Sequence, residues 1–526
     1  MDMKRFLHAW RDPLVWIFLL GFGIRLYACL ATAIVNPDGL KYLYQAKAIY
    51  YQHWSSLTEC SVGYVSVLPL LVAAVYPLFH NWVAAGTAIT LSFGFAALFP
   101  VYGIARRFFD RDIARMVLLI FVFIPALVGR SADIVRGPVY WFFLSMGMLM
   151  FVRAFDEDQP RRFRFDLPLS CLCFMLAVWG RVEAIALLAL SCLYLVLPGT
   201  RRRTAKLFCF LLPALVLGLA GGLIVLLTDT AYLHNLRLEK VLHELQGFFA
   251  NYASVRADLK SLSRQQPGLL SEFLGQAREA LWIVPIGSLV NSMLEKFFYP
   301  YVLVYLVGFF GLRARMAADR RVGYFFTLSL AALVILYSHL LYTWLIYDRF
   351  LVILILPAVV FVGFGCQKIV TGLQSRFNIT QNKALIILAC ILVLFGLGKN
   401  LRPRYEEKLV FREIADAIIA RKSPGELTRI ASEPSIYYRW VFFYANADYA
   451  GVVCDLNLIG KVEGPYPQFV RQARQARIDY LLWSNAMQSR TGLDLAQVPY
   501  EKDFERIGEW TYGKSERFVL LRLRPS

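Results

Sequence analysis

Apolar runs at 13–35, 82–105, 112–129, 137–153, 167–198, 205–228, 297–312, 322–342, 350–366 and 383–399 constrain this chain more than anything else in it. About 20 such residues cross a bilayer as a helix, and in hydrocarbon every backbone N–H and C=O must be paired within the protein. The run at 167–198 is too long for one crossing. Arg181 and Glu183 interrupt it in "AVWGRVEAIA", so it reads as two short helices with a turn near the far surface. The expected fold is an all-α polytopic membrane protein with about eleven transmembrane helices. The first run leads straight into Asn36-Pro37-Asp38 with no small-residue cleavage site, which reads as a retained anchor rather than a signal peptide.

With 58% hydrophobic residues and a mean hydropathy of +0.51, the composition belongs with membrane proteins, not with soluble multidomain chains. The net charge of +19 does not point to nucleic acid, because the basic residues form short clusters between apolar runs instead of one stripe. Those clusters orient the chain. If the Pro69- and Pro77-containing segment 63–79 does not span, then Lys4/Arg5/Arg11, Arg106/Arg107/Arg111/Arg115, Arg153/Arg161/Arg162/Arg164, Arg201/Arg202/Arg203/Lys206, Arg313/Arg315/Arg320/Arg321 and Lys368/Arg376/Lys383 share one face. By the positive-inside rule that face is the cytoplasm. The expected localisation is a multi-pass protein of the bacterial inner membrane with a cytoplasmic N-terminus. The loop 36–81, the 181–183 turn, the loop 228–296 and everything after 399 are then extracytoplasmic.

Two domains are expected: a transmembrane domain over 1–400 and a small extracytoplasmic α/β domain over 401–526. In the tail, strand-like pieces ("LTRIAS", "AGVVCDL", "DYLLW") alternate with helix-like ones ("FREIADAIIARK", "YPQFVRQARQA"), and a hairpin turns at Gly513-Lys514. The tail carries no phosphate loop or nucleotide fingerprint. The loop 228–296 reads as a helical cap broken at Pro267-Gly268. The nine cysteines have no metal-ligand spacing and read as apolar packing residues, with Cys60 and Cys454 able to pair on the outer face.

Where the outer loops meet the spans, polar residues recur: Asp38, Lys41, Tyr42, His53, Asp133, Arg136, Arg181, Glu183, Asp348 and Arg349. Ionisable groups at membrane depth are functional candidates by default. Transfer of a sugar from a lipid phosphate needs a carboxylate to take the acceptor's proton and cations to receive the departing phosphate. Asp38 suits the first task. Arg349, Arg136 and Arg181 suit the second, because the planar guanidinium matches phosphate geometry. Asp133, Glu183, Lys41, Tyr42 and His53 are the expected sugar or acceptor pocket. Arg181–Glu183 reads equally well as a pair that fixes the helical hairpin.

Taken in order, "NPDGLKYLYQAKAI", "GIARRFFDRDIAR", "RSADIVRGPVYWFF", "WGRVEA" and "YDRFLVILILP" resemble the GT-C membrane glycosyltransferases. The similarity lies with the bacterial branch of the protein O-mannosyltransferase and lipid A aminoarabinose transferase superfamily and covers roughly residues 10–370. The resemblance implies an inverting transfer from a polyprenyl-phosphate sugar at the outer face, with Asp38 as general base. Relatives often carry an acid where this chain has Gly137, with Arg136 beside it and Asp133 one turn earlier. The implied partners are the lipid-linked donor, membrane lipid and an acceptor glycan, lipid or protein. No cofactor and no metal are expected, since a divalent ion needs two or more convergent oxygen ligands and Asp38 is followed by Gly39 rather than a second acid; an ion shared by Asp38 and Asp133 is the alternative. A transporter or flippase of lipid-linked intermediates is the competing class, disfavoured by the lack of an internal repeat. A ligase or polymerase moving a whole glycan would share the same signature.

Overall fold

The computed structural model describes residues 12–59, 65–155, 162–197, 202–227, 238–432, 436–452, 465–485, 487–488, 494–513 and 515–525. Lys4, Arg5, Arg11, Arg161 and Arg201 of the basic clusters, both cysteines of the suggested pair (Cys60 and Cys454), most of "AGVVCDL", the first part of the 228–296 loop and Lys514 lie outside the described residues.

Helices occupy every expected span. They are α1 (Pro13–Leu30), α4 (Trp82–Ala96) with α5 (Leu98–Phe108), α6 (Arg111–Phe123) with α7 (Pro125–Ala132), and α8 (Gly137–Arg153). Then come α9 (Phe163–Gly180), α10 (Ala184–Val196), α11 (Arg203–Leu227), α14 (Val284–Met293) with α15 (Tyr299–Gly308), α16 (Arg320–Thr343), α17 (Asp348–Ile355) with α18 (Val359–Phe377), and α19 (Gln381–Asn400). Six described helices are long and apolar enough to cross a membrane as they stand, and three bent pairs raise this to nine. The chain is a multi-pass membrane protein. Between the first spans lie α2 (Pro37–Tyr50) and α3 (Val67–Phe79); the outer loop supplies α12 (Leu238–Gln265) and α13 (Leu269–Glu279), parted at Gly268 with φ +70°. The helical stretch expected at 297–312 begins earlier, at Val284: α14 runs into a π-helical turn at Leu294–Phe298, which carries Glu295 and Lys296, and the backbone breaks at Phe298, φ +82° and ψ 132°, before α15 starts.

The chain forms two compact units. The first comprises Met1–Tyr27, Leu91–Ser131 and Arg136–Arg402. Its central feature is a 52° bend between α6 and α7. Pro125 has no N–H to give, so the last carbonyls of α6 lose helical partners. Arg25, 1% exposed within the first span, donates from Nη1 to the Val122 carbonyl at 3.2 Å and from Nη2 to the Phe121 carbonyl at 3.4 Å. Asn400 Nδ2 donates to the Phe123 carbonyl at 2.9 Å. Elsewhere α15 and α18 cross with their backbones in contact: a Cβ on Gly308 would strike the Phe361 carbonyl and one on Gly365 the Val304 carbonyl. Only glycine permits that approach, a common device where hydrocarbon supplies no hydrophobic drive between helices.

The second unit comprises Ala28–Thr90, Ala132–Val135 and Pro403–Ser526. Its tail contains α20 (Leu409–Ile419), α21 (Ile436–Ala445), α22 (Tyr466–Gln475) and a four-stranded sheet, β1 (Ile430–Ser432), β2 (Tyr480–Ser484), β3 (Phe504–Tyr512) and β4 (Glu516–Leu523). The spatial order is β1-β2-β4-β3, with β1 parallel to β2 and the remaining pairs antiparallel. The hairpin turns at Gly513, whose φ of +62° favours glycine. Phe469, Trp483, Phe504 and Leu521 fill the core between α22 and the sheet. In the same unit α3 packs on α2, with Tyr76 stacked 3.7 Å on Trp82 and Tyr50 edge-on to both.

Candidate active site

In the first unit, the turn between α9 and α10 brings Arg181 and Glu183 together. Arg181 is 5% exposed and grips Glu183 with two donors, Nη2 to Oε1 at 2.9 Å and Nε to Oε2 at 3.4 Å. Its Nη1 donates to the main-chain carbonyl of Arg349, and its guanidinium lies 4.5 Å from the centre of the Phe350 ring and 5.8 Å from that of Tyr140. Burial opposes the charge on Glu183, but the Arg181 guanidinium overrides it, with Arg136 helping, and holds the carboxyl at about 2. Glu183 is therefore a permanent anion.

The Tyr347–Phe350 segment carries the second part of this cluster. The Arg349 guanidinium lies over the rings of Tyr347 and Phe350 at 5.0 and 5.4 Å. Neighbouring Asp348, in the first turn of α17, is flanked by Arg130 Nη2 at 3.7 Å and Lys296 Nζ at 3.6 Å, and Lys296 also meets Glu295 at 2.7 Å. Five cations (Arg130, Arg136, Arg181, Lys296 and Arg349) thus gather with three carboxylates (Glu183, Glu295 and Asp348) at the ends of apolar helices. The excess positive charge suits an anion at a membrane surface.

In the second unit, Asp38 lies in the first turn of α2, where the helix dipole favours a carboxylate. The helix starts at Pro37, so the cap position belongs to Asn36, whose side chain makes no capping bond. Lys41 and Tyr42 are three and four residues on and share the face of Asp38. His53 lies past the end of α2 and is exposed, so the 14-residue helix separates it from Asp38 by roughly 20 Å. Gly39 is tightly enclosed: a Cβ there would come within 2.7 Å of Asn36 Oδ1 and 3.1 Å of Ile134 Cβ. The segment bearing Asp133 therefore lies against the first turn of α2. Asp133 is fully buried and accepts a hydrogen bond from Arg404 Nη2 at 3.0 Å.

The structure thus collects Arg136, Arg181, Glu183 and Arg349 in one cluster and Asp38, Lys41, Tyr42 and Asp133 in another. Sequence reasoning passed over Arg404, Arg130, Lys296 and Lys47. Each looks like an ordinary surface cation in the linear text, and only tertiary structure assigns its partner. Lys47, on α2, is 3% exposed and donates to the Asn446 carbonyl at 3.3 Å. Burial pushes it down to about 8, against the pull of Asp448 and with a small further push from Lys422. Among the described residues no three His, Cys, Asp or Glu side chains converge as a metal-ligand set.

Among solved structures, ArnT from Cupriavidus metallidurans bound to undecaprenyl phosphate is 11% identical to this chain, with a TM-score of 0.59 and 98% of each chain covered. The chain has the GT-C fold. ArnT in the apo state gives a TM-score of 0.58 at 12% identity over the same share of each chain. The oligosaccharyltransferase AglB from Archaeoglobus fulgidus, in complex with an inhibitory peptide and a dolichol-phosphate, gives 0.50 at 12% identity, covering 90% of this chain and 69% of that one. No family model and no curated protein sequence matches. The GT-C fold class expected from the sequence, helical spans followed by a small domain with strands, is the one observed.

Two expectations follow for the second unit. Replacing Arg404 with Met removes a cationic partner of the buried Asp133 carboxylate, which should cost about 3 kcal/mol, and adding Asp133→Asn should recover most of that. Thermal unfolding of the single and double variants checks it; an unaffected single variant would refute the pairing. For Lys47, the lysine keeps its proton in the unfolded chain up to about 10.5 but loses it near 8 when folded. Below pH 8 the burial cost is fully present, and stability rises with pH between 8 and 10.5. Lys47→Met should thus be more stable than wild type at pH 7, by up to about 3 kcal/mol before the lost hydrogen bond is deducted. The advantage should shrink by pH 10. Unfolding midpoints of both proteins at pH 7, 8.5 and 10 decide this, and a constant difference would contradict it.

Proposed function

We propose that this chain is a membrane glycosyltransferase that moves a sugar, with inversion, from a polyprenyl-phosphate-linked donor to an acceptor at the extracytoplasmic face of a bacterial inner membrane. The observation that carries the reading is the cation-rich cluster around Arg349 and Arg136 at the ends of apolar helices. It is supported by the likeness, across nearly the whole chain, to ArnT bound to undecaprenyl phosphate. AglB, which binds a dolichol-phosphate and a peptide, supports a lipid-phosphate donor on the same fold.

In this mechanism the Asp38 carboxylate takes the proton of the acceptor hydroxyl or amine as that atom attacks the anomeric carbon. The bond from the anomeric carbon to the phosphate oxygen breaks, and polyprenyl phosphate leaves with the electron pair. Arg349 and Arg136 receive the growing charge on the phosphate. Arg181, committed to Glu183 and to the Arg349 carbonyl, acts by positioning Arg349. Lys41 and Tyr42, on the Asp38 face of α2, line the approach for sugar or acceptor, and Asp133, buried against Arg404, supports that turn from behind. No nucleotide site is needed, because the donor arrives already activated.

Mass spectra of lipids and glycans from cells with and without the protein test the activity. In cells producing Asp38→Asn, transfer should fall by roughly two to four decades, because the amide keeps the shape but accepts no proton. Binding of undecaprenyl phosphate to the purified variant should match wild type; activity within a few-fold of wild type would refute the base. Arg349→Ala should lower turnover by roughly two to three decades, while Arg421→Ala on the tail surface should not. Near wild-type kinetics for Arg349→Ala would remove it from the site.

A further inference from the structure

The segment that delivers Asp38 is held by the tail at every step. Residues 31–33 pair with Arg404: its N–H donates to the Ala31 carbonyl at 3.1 Å, and its carbonyl accepts from the Ala33 N–H at 3.2 Å, forming a parallel bridge at Thr32. Two residues on, both main-chain groups of Val35 are engaged by one helix. Trp440 Nε1 donates to the Val35 carbonyl at 2.7 Å, and the Val35 N–H donates to Tyr444 Oη at 2.9 Å. Trp440 and Tyr444 are four residues apart on α21 and therefore share its face. Beyond Asp38, Tyr44 meets Phe443 edge-on at 5.7 Å, and Lys47 reaches the Asn446 carbonyl.

This arrangement replaces what α2 lacks. Asn36 caps the helix with no side-chain bond, and Pro37 restricts Asn36 to the extended backbone it adopts, φ −64° and ψ 151°. No side-chain cap therefore fixes the angle at which the first turn of α2 leaves the preceding segment. The two bonds on Val35 set it from outside, three residues ahead of the carboxylate. Val35 and Trp440 are 5% and 2% exposed, so water does not compete for these bonds.

We propose that the tail is a positioning frame for the catalytic carboxylate, with Trp440 and Tyr444 as its positioning residues. The proposal rests on Asp38 being the base. Displacing a reacting group by about 1 Å is costly in rate, on the order of a hundredfold, while leaving ground-state binding little changed. The frame therefore acts on turnover rather than on affinity for the acceptor.

The test uses the full chain in lipid nanodiscs and the double variant Trp440→Phe/Tyr444→Phe, which keeps an aromatic ring at each position and deletes the two hydrogen-bonding groups. Hydrogen–deuterium exchange across residues 31–50 should quicken by roughly tenfold or more, because two buried hydrogen bonds are lost, while residues 351–377 exchange as before. With lipid extract of the producing cells as donor pool, turnover should fall about tenfold at unchanged apparent KM. Unchanged exchange at 31–50 overturns the frame. So does a raised KM at unaltered turnover, which would mark the tail as an acceptor-recognition surface. If the double variant does not fold, Trp440→Phe and Tyr444→Phe are read singly for the same split. Asp38→Asn separates the two failures: if it stays active the base assignment is lost, whereas an inactive Asp38→Asn beside a fully active double variant with faster exchange overturns only the frame.

Discussion

The break between α6 and α7 is possible only because its carbonyls find donors. In hydrocarbon an unpaired carbonyl costs several kcal/mol, and no water is at hand. Arg25 and Asn400 come from the first and last spans, and both reach the same three-residue stretch, Phe121 to Phe123. A charge inside the first span is expensive by itself, and three backbone acceptors, Gly21, Phe121 and Val122, share the guanidinium. The bend that results ends α6 early and sets α7 at a new angle. Arg130, near the end of α7, then meets Asp348.

Arginine solves two different problems in the polar cluster. Arg181 has its donors committed to Glu183 and to a main-chain carbonyl, with an aromatic face beneath it, an arrangement that fixes the shape of the turn. Arg349 rests on the faces of Tyr347 and Phe350 and is held through its own carbonyl, an arrangement that fixes where its side chain starts. A planar cation laid on rings is already partly desolvated and oriented, so less ordering remains when an anion arrives.

The spans were legible because the hydrophobic runs have the length that bilayer thickness demands, and the turn at Arg181 because two charges interrupted a run. The bend at Pro125 was hidden, since proline is apolar enough to leave the run unbroken. The early start at Val284 was hidden because Glu295 and Lys296 look like a loop, yet Lys296 pairs with Glu295 and with Asp348 of α17. Helix α21 escaped because "IYYRWVFFYA" is aromatic on all sides and shows no polar face to reveal its period. Arg404, which grips Asp133, could not be read at all, because nothing local to it differs from the many other arginines of the tail.

The second unit draws on three stretches of chain, and the last begins at Pro403. A ribosome therefore finishes the loop bearing Asp38 long before it makes the residues that hold it. Roughly 370 residues separate Asp38 from Arg404, and at about 5–20 residues per second that wait is on the order of 20–70 s. Throughout that interval the helices can insert one after another, while the buried carboxylate of Asp133 and the backbone of Val35 have no partners from the tail. Biosynthesis thus delivers the membrane-embedded part first and completes the Asp38 loop last, so a chain interrupted before Tyr444 would have its spans in place without the bonds that fix its first outer helix.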